Sequence, residues 1–167
     1  MSYYGNEYER RTLMNIEALY FQKYFYFKHL NQSSSEHRVT YWVKLSRDIE
    51  LHRLMYALLD VVQNQPVLRT QFVTDDFNQL KINLRDFFPF IEIKEVNEMS
   101  QSIDLEAFFT RNLNSYHFNQ LPLFNFKIYQ FLDEAYLLLD FHATIFNESQ
   151  LTPFLQQVNI AYTCLLY

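Results

Sequence analysis

The sequence predicts an α+β fold, a mixed or antiparallel sheet covered by helices, and three observations carry that prediction. Apolar residues recur at helical spacing through 51–62, and they alternate with period two through 37–47. Two aromatic-rich segments then meet near the C-terminus around Leu132, Asp133 and Glu134. The elements run helix, strand, helix, several strands, helix, a strand pair and a last helix, an order that suits helices layered on one sheet.

The first helix is expected over 12–30, with Thr12 as cap and Leu13, Ile16, Leu19, Tyr20, Tyr24 and Phe27 at helical spacing. Its aromatic series Tyr20, Phe21, Tyr24, Phe25, Tyr26 and Phe27 runs all round the helix, so one side is expected to meet a partner or a neighbouring domain. After the break "NQSSSE", Val39, Tyr41, Val43 and Leu45 alternate with Arg38, Thr40, Trp42 and Lys44, which describes a half-buried strand. Asp48 offers a cap to the helix carrying Leu51, Leu54, Met55, Leu58, Leu59 and Val62. Pro66 stops that helix, and the strand "VLRTQFVTD" is expected to follow at once.

A short strand "NQLKINL" and an extended "FPFIEIKEV" come next. Ser102 is the expected cap of a helix over 102–115. Residues 123–142 should form two strands joined by a tight turn, and 148–167 a helix that tolerates Pro153 only in its first turn.

Composition removes several function classes. With 167 residues, and no apolar run approaching the ~20 needed to span a bilayer, the chain reads as one cytoplasmic domain with no membrane segment. A net charge of −5 with dispersed Lys and Arg argues against nucleic acid. The one cysteine, Cys164, excludes an internal disulfide and a cysteine-built metal site, and the histidines lack metal-ligand spacing. With Gly5 as the single glycine, no glycine-rich phosphate cradle can form. His29, His37, His52 and His117 read as surface or boundary residues, and Ser33, Ser34 and Ser35 as a loop.

Three stretches in fixed order carry a family resemblance: "IELHRLMYALLDVVQNQPVLRTQFV", "YHFNQLPLFNFKIYQFLDEAYLLLDFH" and "LDFHATIFNESQ". Together they resemble the N-terminal lobe of nonribosomal peptide synthetase condensation domains, which has the chloramphenicol acetyltransferase fold. The resemblance implies one lobe over 1–167, with the second lobe absent from this chain. The start at Met1 with a short polar lead suggests that such a lobe would stand at the N-terminus of its parent polypeptide.

Laid on the family's HHxxxDG motif, the third stretch gives Phe141 and His142 for the histidines, Phe146 for the aspartate and Asn147 for the glycine. The resemblance implies that His142 is the catalytic residue, as base or as the group that positions the attacking amine. It implies structural roles in the site loop for Arg69, Asn147 and Glu148. The family's aspartate pairs with the arginine matching Arg69, so with Phe146 in its place Arg69 must find another acceptor, reach water or stack on an aromatic face, Glu148 and Asp140 being the candidate acceptors. Asn147 is the milder change, since asparagine best tolerates the left-handed backbone that a glycine often provides.

No cofactor is expected to bind directly. The implied substrates are phosphopantetheine thioesters presented by carrier protein domains, and the implied neighbours are a second condensation lobe or an adenylation domain. Three readings follow: a lobe active in amide-bond formation, a catalytically silent packing or docking module, and a stand-alone trimeric CoA-dependent acyltransferase. In the silent reading His142 is a strand-end histidine satisfied by backbone or water.

Overall fold

The computed structural model describes residues 37–74, 80–84, 89–116 and 122–164. The expected helix over 12–30, its aromatic series, His29 and His117 lie outside them. Four strands form the main sheet: β1 (Arg38–Lys44), β4 (Glu92–Glu95), β5 (Phe124–Gln130) and β6 (Ala135–His142), in the order β1-β6-β5-β4. β6 is antiparallel to both β1 and β5, whereas β4 runs parallel to β5. The sheet is therefore mixed. A parallel neighbour cannot be reached by a hairpin, and α2 (Leu105–Arg111) lies on the crossover between β4 and β5. Strands β2 (Thr70–Thr74) and β3 (Leu80–Leu84) pair with each other as a separate antiparallel ribbon.

The helix expected from 51–62 is α1 (Leu51–Asn64), and it buries Leu54, Ala57, Leu58, Val61 and Val62. Its cap is Glu50, whose backbone is extended, and not Asp48, whose carboxylate accepts from the Ser46 hydroxyl instead. Gln65 is forced extended ahead of Pro66, as steric conflict with the proline ring requires. The strand does not follow at once. Pro66–Arg69 first make a 3-10 turn, closed by the Thr70 hydroxyl donating to the Pro66 carbonyl over 3.1 Å.

The last helix, α3 (Leu151–Cys164), carries Pro153 in its first turn, where the missing N–H costs nothing. It packs beside α1, and Arg53 ties the two by donating to the Tyr162 carbonyl at 2.8 Å and lying 4.2 Å over its ring. α2 is capped by Asp104, which accepts from the Ala107 amide, and not by Ser102, which ends a short 3-10 turn.

Side chains alternate across the sheet, so the core has two parts. Leu137, Leu139, Phe141, Phe124, Phe126 and Ile128 face α1 and α3 together with Phe146 and Phe154. On the opposite face Leu138, Tyr136, Tyr129 and Phe131 pack around Phe109 of α2. The tight turn of β5 and β6 is held from outside: Asp133 accepts from the Ser100 amide and hydroxyl, each at 2.7 Å. His52 is exposed as expected, but His37 is buried against the end of β6, where its carbonyl accepts from Ala143.

Candidate functional site

β6 ends at His142, and the chain there is fixed from both sides. The His142 amide donates to the Leu123 carbonyl at 2.8 Å, Ala143 donates to His37 at 2.8 Å, and Ile145 donates back to the His142 carbonyl at 3.1 Å. These bonds turn the chain out of the strand into the loop that leads to Asn147 and a 3-10 turn, Glu148–Gln150. The imidazole is fully buried. Its Nδ1 lies 2.9 Å from the Thr144 hydroxyl and accepts from the Thr144 amide at 3.1 Å, while the Tyr116 ring meets it edge-on at 6.0 Å.

The position expected to carry a first histidine holds Phe141, and the position expected to carry an aspartate holds Phe146. Their rings lie parallel, 3.8 Å between centroids and 6° apart, and Phe154 of α3 presses its edge on both. Two polar residues of the motif are thus replaced by two aromatic ones that touch each other. A lone phenylalanine facing a histidine or carboxylate would leave a buried polar group without its partner; the pair avoids that.

Asp140 is the carboxylate that sequence reasoning left as a candidate partner for Arg69, and the structure gives it to others. It is buried on the face opposite the phenylalanine stack, where Arg38 donates to it at 3.2 Å, Thr40 at 2.7 Å and Tyr116 at 2.6 Å. Arg38 also donates to the Asn114 carbonyl at 2.5 Å and sits 5.1 Å over the Tyr116 ring. Lys127 donates to the Asn112 carbonyl at 2.9 Å and to the Asn114 side chain at 3.1 Å. The segment leaving α2 is thereby tied across the sheet beside His142.

Burial raises the Asp140 carboxyl pKa above the ordinary range, against the opposing pull of its three donors and of Lys127. Burial, then the Asp140 charge, pushes the Tyr116 phenol up, so the proton of the pair stays on the tyrosine. The Lys127 ammonium is lowered, first by burial and then by Lys94.

Arg69 is half-buried at the end of the 3-10 turn that follows α1, and Glu148 is exposed. Asn147 is an N-cap in extended conformation, φ −127° and ψ 168°, so its tolerance of a left-handed backbone is not used there. Sequence reasoning missed the Arg38, Asp140 and Tyr116 cluster. The available signal was an aspartate inside the apolar run of β6, on the same parity as Arg38 and Thr40 of the neighbouring strand. Among the described residues no group of His, Cys, Asp and Glu is placed to hold a metal ion, and no helix is long and apolar enough to cross a membrane.

Comparison with known families puts this geometry in context. The condensation domain model matches residues 15–166. The chain belongs to the condensation-domain family. Among solved structures, this condensation-domain chain is similar to the starter condensation domain of the rhizomide synthetase RzmA, with a TM-score of 0.77 at 15% identity, over 90% of this chain and 39% of that one. A variant of that domain in complex with C8-CoA and Leu-SNAC gives 0.77 at 16% identity, over 97% and 38%. The first condensation domain of the CDA synthetase gives 0.79 at 10% identity, over 90% and 40%. The chain thus spans about two-fifths of the length of these structures, and at such identities the likeness establishes the fold. A search of curated proteins found no match.

Proposed function

We propose that this chain is the N-terminal lobe of a condensation domain that joins a carrier-bound acyl or peptidyl group to a carrier-bound aminoacyl group through an amide bond. The observation that carries this reading is the placement of His142. It stands at the end of the inner strand β6, at the turn into the loop that lies in the place of the family motif, with its amide donating to Leu123 and the next amide, that of Ala143, donating to His37. An amine attacking a thioester needs a group that orients it or stabilises the charge that develops, and an imidazole at this place suits that work. The substrates on this reading are phosphopantetheine thioesters, delivered by carrier domains, and a second lobe completes the site.

A second reading is a catalytically silent lobe that serves packing or docking beside a second lobe or an adenylation domain. The parallel stack of Phe141 and Phe146 favours it, as does the full burial of the His142 ring, which leaves no open face to a substrate. One experiment separates the two. In the assembled synthetase, product formation followed by mass spectrometry of the carrier-bound amide should fall about a hundredfold or more in His142→Ala if the imidazole takes part. Unchanged product formation would sink the catalytic reading of His142.

A further inference from the structure

Asp140 is the one carboxylate among the described residues that the fold buries, at 1% exposure, on the sheet face beside the segment that leaves α2. Thr40 donates to its Oδ1 at 2.7 Å, while Arg38 and Tyr116 donate to Oδ2 at 3.2 and 2.6 Å. These donors differ in what else they can do. Arg38 can only donate, and the Thr40 hydroxyl has Asp140 as its single acceptor among the described residues. The Tyr116 hydroxyl lies also 3.1 Å from the Asp140 carbonyl, so its one proton has two acceptors on the same residue.

That pair of acceptors lets the phenol serve either state of the carboxyl. With Asp140 ionised, the phenol proton points to Oδ2. With a proton on Oδ2, the acid donates to the phenol oxygen across the same 2.6 Å, and the phenol proton turns to the carbonyl. The turn is a rotation about the bond from ring to oxygen. No heavy atom has to move, and neither partner is left with an unsatisfied buried proton.

We infer that Asp140 and Tyr116 are a proton switch built into the fold: the buried carboxyl binds and returns a proton while the phenol redirects its own between the side chain and the backbone of Asp140. The surrounding groups set the balance. Burial favours the neutral acid, whereas Arg38 of β1 and Lys127 of β5 favour the carboxylate. Lys94 and Glu92 of β4 act on Lys127, and the His142 ring meets Tyr116 edge-on. Uptake of the proton removes a negative charge from beside Arg38, whose other acceptor is the Asn114 carbonyl at 2.5 Å. The grip of Arg38 then passes to the segment that leaves α2.

Carbon-13 spectroscopy of the full-length protein, labelled at aspartate carboxyls and tyrosine Cζ, tests this by pH titration of the folded chain. The Asp140 signal is assigned by its loss in Asp140→Asn, and the Tyr116 signal through its contact with the His142 ring. The carboxyl should titrate reversibly with a midpoint above its ordinary 3.8, and the Tyr116 Cζ signal should move with the same midpoint. A carboxyl that stays ionised until the chain unfolds overturns the switch, and so does a Tyr116 signal that stays still across the Asp140 midpoint. Two variants then separate a redirecting hydroxyl from a plain donor. Thr40→Val deletes a bond made to the carboxylate alone and should raise the midpoint by about one pH unit. Tyr116→Phe deletes one bond from each state and should raise it by less than about half a unit. A rise in Tyr116→Phe that equals or exceeds the rise in Thr40→Val makes Tyr116 a plain donor and overturns the inference.

Discussion

On the side of β6 that faces α1 and α3, the last residues of the strand enter an aromatic cluster: Phe141 stacks on Phe146, and Phe126 and Phe154 close on them edge-first. On the other side, one residue earlier and one later, Asp140 gathers Arg38, Thr40 and Tyr116, and His142 stands beside Tyr116. The two faces teach that one strand end serves two chemistries, an aromatic stack on one side and a buried carboxylate with its donors on the other. The face where the resemblance would put a histidine and an aspartate is aromatic here. The opposite face carries Asp140 with its donors beside His142. Each face is complete in itself, since the stack contains no polar atom and the carboxylate has three donors.

The apolar face should be the more sensitive to truncation. Phe146→Ala removes the ring that Phe141 lies on and leaves a cavity that Phe154 alone cannot fill, at a cost of about 3–5 kcal/mol. Urea denaturation of the full chain measures it through the transition midpoint. A loss well under 1 kcal/mol, against that ~3–5 kcal/mol range, would mean the stack contributes little and the comparison between the faces is mistaken.

The polar face should respond less, and in a pH-dependent way. Asp140→Asn keeps the shape and one acceptor oxygen, and its cost at neutral pH is expected at about 1–3 kcal/mol. Because the folded carboxyl pKa is raised above its ordinary 3.8, the native state binds more protons than the unfolded one between the two values. The contribution of Asp140 is then fully present below 3.8 and is lost as pH rises through the folded value. The gap in stability between the unmodified protein and Asp140→Asn should therefore narrow from about pH 3 to about pH 7, as linkage requires. Denaturation curves at several pH values read the sign directly, and a gap that widens would show that the three donors outweigh burial.

What could be read from the sequence was whatever repeats locally. The face of α1, the alternation in β1 and the strand pair around 132–134 follow from spacing alone, and so did the placement of His142 at a strand end. Caps were missed by two residues, at Glu50 for Asp48 and at Asp104 for Ser102, because each true cap has a competing polar residue just upstream. The 3-10 turn at Pro66–Arg69 was missed because a run such as "PVLR" carries no period that separates it from a strand. In the Asp140 cluster Arg38 and Thr40 lie about a hundred positions from the carboxylate, and only the register of β1 on β6 brings them to it. The burial of His37, expected at the surface or boundary, escapes the sequence for the same reason: it is set by the strand end that His37 meets.

Between the two faces runs the loop that leaves β6, and its exit rests on Asn147. The side chain of Asn147 accepts from the Ser149 amide at 3.1 Å, and the Gln150 side chain reaches back to the Asn147 amide at 2.8 Å. Two amides at the start of the turn into α3 are thus satisfied reciprocally. Asn147→Ala removes one of these bonds and should cost about 1 kcal/mol, whereas Asn147→Gly should cost only a few tenths. A glycine at this position of the family motif invites the opposite expectation, that Asn147→Gly would stabilise by relieving a strained backbone. The extended φ of −127° gives glycine nothing to relieve, so the order of stability should be Asn, then Gly, then Ala. If thermal denaturation placed the glycine variant above the unmodified protein, the loop would hold a left-handed residue at 147. The polar and aromatic faces would then be joined by strain and not by a cap.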